Sequence, residues 1–334
     1  MNPTIPLVDL KAQYASIRAE IDAAIQNVID NTSFIMGPAV RTFEDAFAAY
    51  CGAAHCIGVS NGTAALELAL RAYGIGPGDE VITVAHTFIA TAEAISALGA
   101  TPVFVDIDPD TYTLNSNLLA AAITLNTRAV LPVHIYGQPA DMTRINLIAK
   151  AHGLVVIEDA AHSLGTEWHG RKIGTIGKVG CFSFQSYKLI NSGEGGIMVT
   201  DDPELAARAI IMSGAYEHNW KKHFGMQNSF HHWQNRLPLY NMRMQNLSAA
   251  VIRPQIPLVA RRVADGRANH DYVAGRLNRC DWLDVPPPMA AAALTDAWQL
   301  VHPHHPGFTF DPVANPPALF LAERPVSVPG SAVL

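Results

Sequence analysis

The sequence predicts an α/β fold, with a mostly parallel central sheet flanked by helices. Three observations carry this. Seven short, nearly continuous apolar runs recur between residues 55 and 200. Amphipathic helical patterns fill several of the gaps between them. The chain is also long and apolar enough for a large core, with 334 residues of which 49% are hydrophobic. Strands covered on both faces read as continuous apolar runs, and parallel strands need a crossover between them, usually a helix.

The elements follow in chain order. Residues 14–30, YASIRAEIDAAIQNVID, repeat apolar positions at helical spacing. Gly37-Pro38 breaks the pattern, and a second helix is expected over 41–52. Strands are expected at 55–60, 80–85, 102–107, 128–135, 154–160, 179–185 and 196–200. Helices fit at 63–74, 88–99 and 142–153. A long helical pattern over 246–277 is interrupted near Pro254 and Pro257. After Asp281 the chain turns proline-rich and offers few strong helix or strand candidates.

Composition excludes several function classes. The net charge is −6 with 16% charged residues, so no basic nucleic-acid footprint is present. The low charge fraction fits a surface partly covered by another subunit. No run of 18 apolar residues and no leader-like N-terminus is found, so a cytoplasmic protein with no membrane span is expected. Cys51, Cys56, Cys181 and Cys280 form no CxxC pair, and Cys181 reads as a small core residue. The histidines at 231–232 and in 302-HPHH-305 lack carboxylates or cysteines at ligand spacing, so no metal site is expected.

Four fragments at strand ends carry the chemistry. In 59-VSNGTAALELAL-70 a strand ends, Asn61-Gly62 turns, and Thr63 opens a helix. Free amides at a helix N-terminus plus a hydroxyl suit a phosphate, although ordinary capping by Asn61 or Thr63 gives the same pattern. In 155-VVIEDAAHSLGT-166 an acid pair closes an apolar strand, where Asp159 could hold a buried cationic nitrogen, with His162 three residues on. In 182-FSFQSYKLINSGEGG-196 a single lysine, Lys188, precedes a glycine cluster. A lysine desolvated in a cleft forms a Schiff base with a carbonyl, whereas a solvated loop lysine is the commonest case. In 86-HTFIATAEAI-95, Phe88 begins a helix and could stack on a planar ring or simply join the core. One ligand accounts for all four. Pyridoxal phosphate needs an amine for its aldehyde, a carboxylate for its pyridinium nitrogen, an anion cradle and a wall for its ring.

The chain resembles the sugar aminotransferases of the DegT/StrS type, which have the aspartate-aminotransferase fold. The matching segments are 6-PLVDL-10, 34-FIMGPAV-40, 60-SNGTAAL-66, 76-GPGDEVI-82, 134-HIYGQPADM-142, 157-IEDAAHSLG-165, 182-FSFQSYK-188, 193-GEGG-196 and 240-YNMRMQNLSAA-250. They run in family order over residues 5 to about 255. The resemblance implies that Lys188 is the Schiff-base lysine and Asp159 the partner of the pyridine nitrogen. His162 stands near the ring oxygen and Phe88 at the ring-stacking position. Gly62, Thr63 and Ser183 stand as phosphate contacts. Asn241 stands as a residue given to the neighbouring subunit's phosphate site, which implies a homodimer with shared active sites.

The implied activity moves an amino group from L-glutamate or L-glutamine to a keto sugar, often nucleotide-linked, or to a keto-cyclitol. Some relatives are dehydratases with His in place of the lysine; Lys188 favours transamination here. A shortened member that binds the cofactor with weak or altered turnover is the other alternative. The implied organisation is an N-terminal segment at 1–30, a large cofactor-binding domain at 31–245 and a small domain at 246–334, with the resemblance fading after about Asp296. Residues 185–187 and the aromatic stretch 216–238 are the expected determinants of acceptor preference.

Overall fold

The computed structural model describes residues 8–216 and 227–277. Helix α1 (Leu10–Ala15) is capped by Asp9, whose carboxylate accepts from the Ala12 N–H. Helix α2 (Arg18–Asp30) follows. The single helix expected over 14–30 is therefore broken. The Ser16 hydroxyl donates to the Gln13 oxygen at 2.7 Å, and Ile17 turns inward to 7% exposure. Helix α3 (Pro38–Cys51) starts with Pro38 in the first turn and stops at left-handed Gly52.

The alternation then begins with β1 (His55–Val59), α4 (Gly62–Ala72), β2 (Glu80–Thr83), α5 (Ala90–Ser96) and β3 (Thr101–Phe104). It continues with α6 (Ser116–Leu119), β4 (Thr127–Val130), α7 (Met142–Ala151) and β5 (Val155–Asp159). A two-stranded hairpin, β6 (Glu167–Trp168) with β7 (Arg171–Lys172), adds to the expected elements. Next come β8 (Val179–Ser183), β9 (Gly196–Thr200), α8 (Pro203–Ser213) and α9 (Gln227–Trp233). The long C-terminal pattern divides into α10 (Asn246–Ile252), a 3-10 turn (Arg253–Leu258) and α11 (Val259–Leu277). The turn holds Pro254 and Pro257, which lack the N–H that an α-helix needs. The expectations for residues after 277 lie outside the described residues.

All seven expected strands enter one sheet, in the order β1-β9-β8-β5-β4-β2-β3. Strand β9 runs antiparallel to both of its neighbours; the other pairs are parallel. Six strands thus share a direction and end at one edge, at Val59, Thr83, Phe104, Val130, Asp159 and Ser183. Strand β4 stops before the expected 135 because Pro132 has no N–H for the ladder. The chain stays beside β5 nonetheless, with His134 N–H donating to the Asp159 oxygen at 3.0 Å.

Helices α3 and α4 pack on this sheet. Phe43 and Phe47 meet Phe184 edge-on at 5.4 and 5.5 Å, and Phe47 meets Phe182 at 5.2 Å. Cys181 is 1% exposed, and burial pushes its thiol well above the ordinary range, as a core residue requires. Among the described residues no helix is long and apolar enough to cross a membrane. No group of three or more metal-ligating side chains is found there either.

Glu44 of α3 is a buried carboxyl whose Oε1 accepts from Gly58 N–H at 2.7 Å. Burial, the largest cause, pushes it from 4.5 to about 8. The folded chain therefore keeps a proton that the unfolded chain releases between these values, and stability falls as pH rises across that window. Glu44→Gln removes the titration and keeps an acceptor. Its urea midpoint is expected to rise relative to wild type on going from pH 5 to pH 8, by the equivalent of about 2–4 kcal/mol. An equal difference at both pH values would place the carboxyl in water instead.

Candidate active site

The site forms where the parallel strands end, which is where ligands bind in open α/β sheets. At the end of β1, Asn61 caps α4 by accepting from Ala64 N–H at 2.8 Å. The first amides of α4, at Gly62 and Thr63, have no acceptor within the helix. Strand order brings Ser183 to the same point. A Cβ on Gly62 would lie 2.8 Å from the Ser183 Cβ and 3.2 Å from its hydroxyl oxygen. Gly196 pairs with Ser183 across β8 and β9, and a Cβ there would lie 2.2 Å from the Asn61 oxygen. Two glycines thus keep open a cradle of helix amides and one hydroxyl. Its chemistry fits a phosphate.

Strand β5 ends in Glu158 and Asp159, and the pleat sends them to opposite faces. Glu158 is fully buried and structural. Its Oε1 accepts from Ile176 N–H at 2.7 Å and Gly177 N–H at 2.5 Å, and its Oε2 from Gly174 N–H at 2.8 Å. His134 joins it at 3.1 Å through Nε2, which carries the ring proton because Nδ1 accepts from Ala140 N–H.

Asp159 faces the site at 5% exposure. It accepts from the Thr91 hydroxyl at 2.8 Å and from Ala161 N–H at 3.1 Å. Burial raises its pKa, against the pull of these two bonds, of Lys188 and of His134. A carboxylate held at this cost is prepared for a cation.

Lys188, His162 and Ser183 line one small cavity. Burial, then the Lys188 charge, pushes the His162 imidazole down to about 3, so it stands neutral. Its ring stacks on Tyr136, with centroids 5.9 Å apart and planes at 26°. Tyr136 itself holds a left-handed conformation, φ 51°, outside the usual range for a side chain of its size.

Phe88 does not begin a helix. It precedes α5, which starts at Ala90, and it is 69% exposed rather than core. Its carbonyl accepts from Thr91 N–H at 3.2 Å, which ties it to the residue that binds Asp159. Asn241 is exposed and bridges Gly214. Within one chain no described contact joins it to the Lys188 cluster. Of the expected specificity segment 216–238, residues 217–226 lie outside the described residues. Sequence reasoning missed Thr91 and Tyr136. The available signal for Thr91 is its place three residues after Phe88, at the start of the helix that follows β2.

The mostly parallel seven-stranded sheet with its flanking helices is the aspartate-aminotransferase-type fold of pyridoxal-phosphate-dependent transferases, shared with solved neighbours. Residues 15–304 match the DegT/DnrJ/EryC1/StrS aminotransferase family, and the chain belongs to that family. It is 45% identical over 252 residues to the dTDP-3-amino-3,4,6-trideoxy-alpha-D-glucose transaminase of Streptomyces venezuelae, covering 75% of this chain and 63% of that protein. It is 44% identical over 276 residues to a UDP-N-acetyl-3-dehydro-alpha-D-glucosamine 3-aminotransferase of Acidithiobacillus ferrooxidans, covering 80% and 72%. The crystal structure of S. venezuelae DesV in complex with a ketimine intermediate superposes with a TM-score of 0.80 at 39% identity, over 88% of this chain and 77% of that one. The chain thus spans just under two thirds of the first of these relatives.

Proposed function

We propose that this protein is a pyridoxal-phosphate-dependent aminotransferase acting on a keto sugar, nucleotide-linked by analogy with relatives named for dTDP- and UDP-sugars. The carrying observation is the meeting of Lys188, Asp159 and His162 beside the cradle of Gly62 and Ser183. Bound pyridoxal phosphate supplies an electrophilic aldehyde and an electron-withdrawing pyridine ring.

The chain's residues divide the remaining work. The amides of Gly62 and Thr63 with the Ser183 hydroxyl bind the phosphate. Asp159, oriented by Thr91, holds the proton on the ring nitrogen. Lys188 Nζ would be the amine that holds the cofactor's aldehyde and, as a free base, would take up and return a proton. His162, neutral and stacked on Tyr136, would contact the cofactor ring, and exposed Phe88 would supply an aromatic wall for it. In a homodimer, Asn241 reaches the phosphate of the neighbouring subunit, which its exposure on a single chain supports. L-Glutamate or L-glutamine is the amino donor, and the cytoplasm the place of work.

The test is an absorbance spectrum of the protein with pyridoxal phosphate, before and after L-glutamate. Loss of the band of the lysine-linked cofactor, with growth of the pyridoxamine band, is the expected result. A cofactor spectrum that neither glutamate nor glutamine alters would leave a cofactor-binding member without transamination.

A further inference from the structure

Lys188 sits on a turn whose main chain is held from outside by three remote segments. Its own N–H donates to the Gln185 oxygen at 2.8 Å. The following carbonyls are taken by side chains far away in sequence. Arg262 of α11 donates from Nη1 to the Leu189 oxygen at 2.7 Å and to Gln255 Oε1 at 3.1 Å. Gln255, in the 3-10 turn, donates from Nε2 to the Asn191 oxygen at 2.7 Å and to the Val251 oxygen at 2.9 Å. Asn191 Nδ2 reaches Gln13 of α1 at 2.7 Å and the Lys188 oxygen at 3.3 Å. Gln13 Nε2 returns to the Leu189 oxygen at 3.3 Å.

Arg262 is 8% exposed and Gln255 2%. The hydrogen-bond partners of Arg262 among the described residues are two neutral oxygens, not a carboxylate. Burial alone pushes this guanidinium down to about 10. A buried cation held by neutral oxygens is a costly way to satisfy one carbonyl, and an apolar packing of equal volume is often as stable. Stability therefore gives a weak reason for Arg262, whereas directed bonds to the lysine turn give a specific one.

Helix α11 also touches the other side of the site. A Cβ on Gly165 would lie 2.9 Å from Val263 Cγ2 and 3.3 Å from Val259 Cγ1. Gly165 is three residues past His162 on the loop that follows β5. One helix thus bears on both loops that make the site.

We propose that Arg262, with Gln255, is a positioning residue for Lys188, and that α11 is the strut setting that lysine against His162. The proposal rests on the reading of Lys188 as the reactive amine. A lysine side chain is long and flexible, so its turn must be fixed for its amine to arrive in place. A displacement of about 1 Å at a reacting group costs on the order of 100-fold.

The test compares wild type with Arg262→Met, Arg262→Lys and Gln255→Leu by two readouts. The first is reductive methylation of the cofactor-free protein, with labelling of Lys188 read by peptide mass spectrometry relative to exposed Lys150 and Lys178. The second is the rate at which added pyridoxal phosphate becomes fixed to the Lys188 peptide by borohydride. In Arg262→Met the Lys188:Lys150 ratio is expected to change by about threefold or more and fixation to slow by about tenfold or more. The Lys178:Lys150 ratio stays constant, and Arg262→Lys falls between. If Arg262→Met does not fold, Gln255→Leu decides by the same readouts. Wild-type ratio and fixation rate in a folded variant, even one with a lowered melting temperature, overturn the proposal. Failure of wild type itself to fix the cofactor at Lys188 would instead overturn the proposed function, while the labelling ratio still judges the role of Arg262.

Discussion

Lys188→Ala is expected to abolish turnover while leaving the fold in place. The substitution removes the amine from the cavity that holds His162 and Ser183. Loss of a positioned proton carrier alone costs about 10²–10⁴-fold, and here the covalent link to the cofactor is lost as well. The side chain is only partly buried and lies on a turn whose main-chain bonds do not involve it. The melting temperature should therefore stay within a few degrees of wild type, by about 1 kcal/mol or less. Gel filtration should separate pyridoxal phosphate from the variant but not from wild type. Turnover near the wild-type rate would remove Lys188 from the chemistry and the proposed function with it.

Asp159→Asn should divide activity from stability. The carboxylate is buried at the end of β5, and burial outweighs its two hydrogen bonds and the Lys188 charge in raising its pKa. The amide that replaces it is neutral and avoids the cost of burying a charge. The cofactor-free variant should thus be at least as stable as wild type at neutral pH. With cofactor the balance reverses. An amide cannot hold the ring-nitrogen proton as a carboxylate does, and breaking such a buried pair costs about 3–5 kcal/mol. That corresponds to a fall in kcat/KM of about 10²–10⁴-fold. Calorimetry of the cofactor-free protein and steady-state rates of the loaded one check the two halves separately. A variant that is both less stable and equally active would mean that Asp159 serves the fold alone, as Glu158 does.

The acid pair illustrates what is legible in the chain. The period of two along a strand already separates Glu158 from Asp159. It does not say which of them meets the site, because that depends on the loop Gly174–Gly177 folding back under β5 to take Glu158. The cradle behaves likewise. Asn61-Gly62 reads locally as a strand-to-helix turn, and the cap is there. The pairing of that turn with Ser183 requires β9 to enter the sheet antiparallel between β1 and β8. No local pattern carries that insertion. At Phe88 the linear pattern leaves open whether the aromatic packs inward or stands free, and only the fold leaves it exposed before the first turn of α5.

By itself the sequence determined the order of the seven sheet strands, the main helices between them and which chemical groups lie at strand ends. Those features depend on hydrogen bonding and side-chain periodicity among near neighbours in the chain, which the linear pattern records. The tertiary structure alone decided which of these groups share a site. It brought Thr91 to Asp159, Gly62 to Ser183 and Arg262 to the turn that bears Lys188. The bonds from Thr91 to Asp159 and from Arg262 to Leu189 span 68 and 73 positions of sequence. Such meetings are set by strand order and helix packing, where the energy comes from burying one element against another and not from any local preference of the residues that meet.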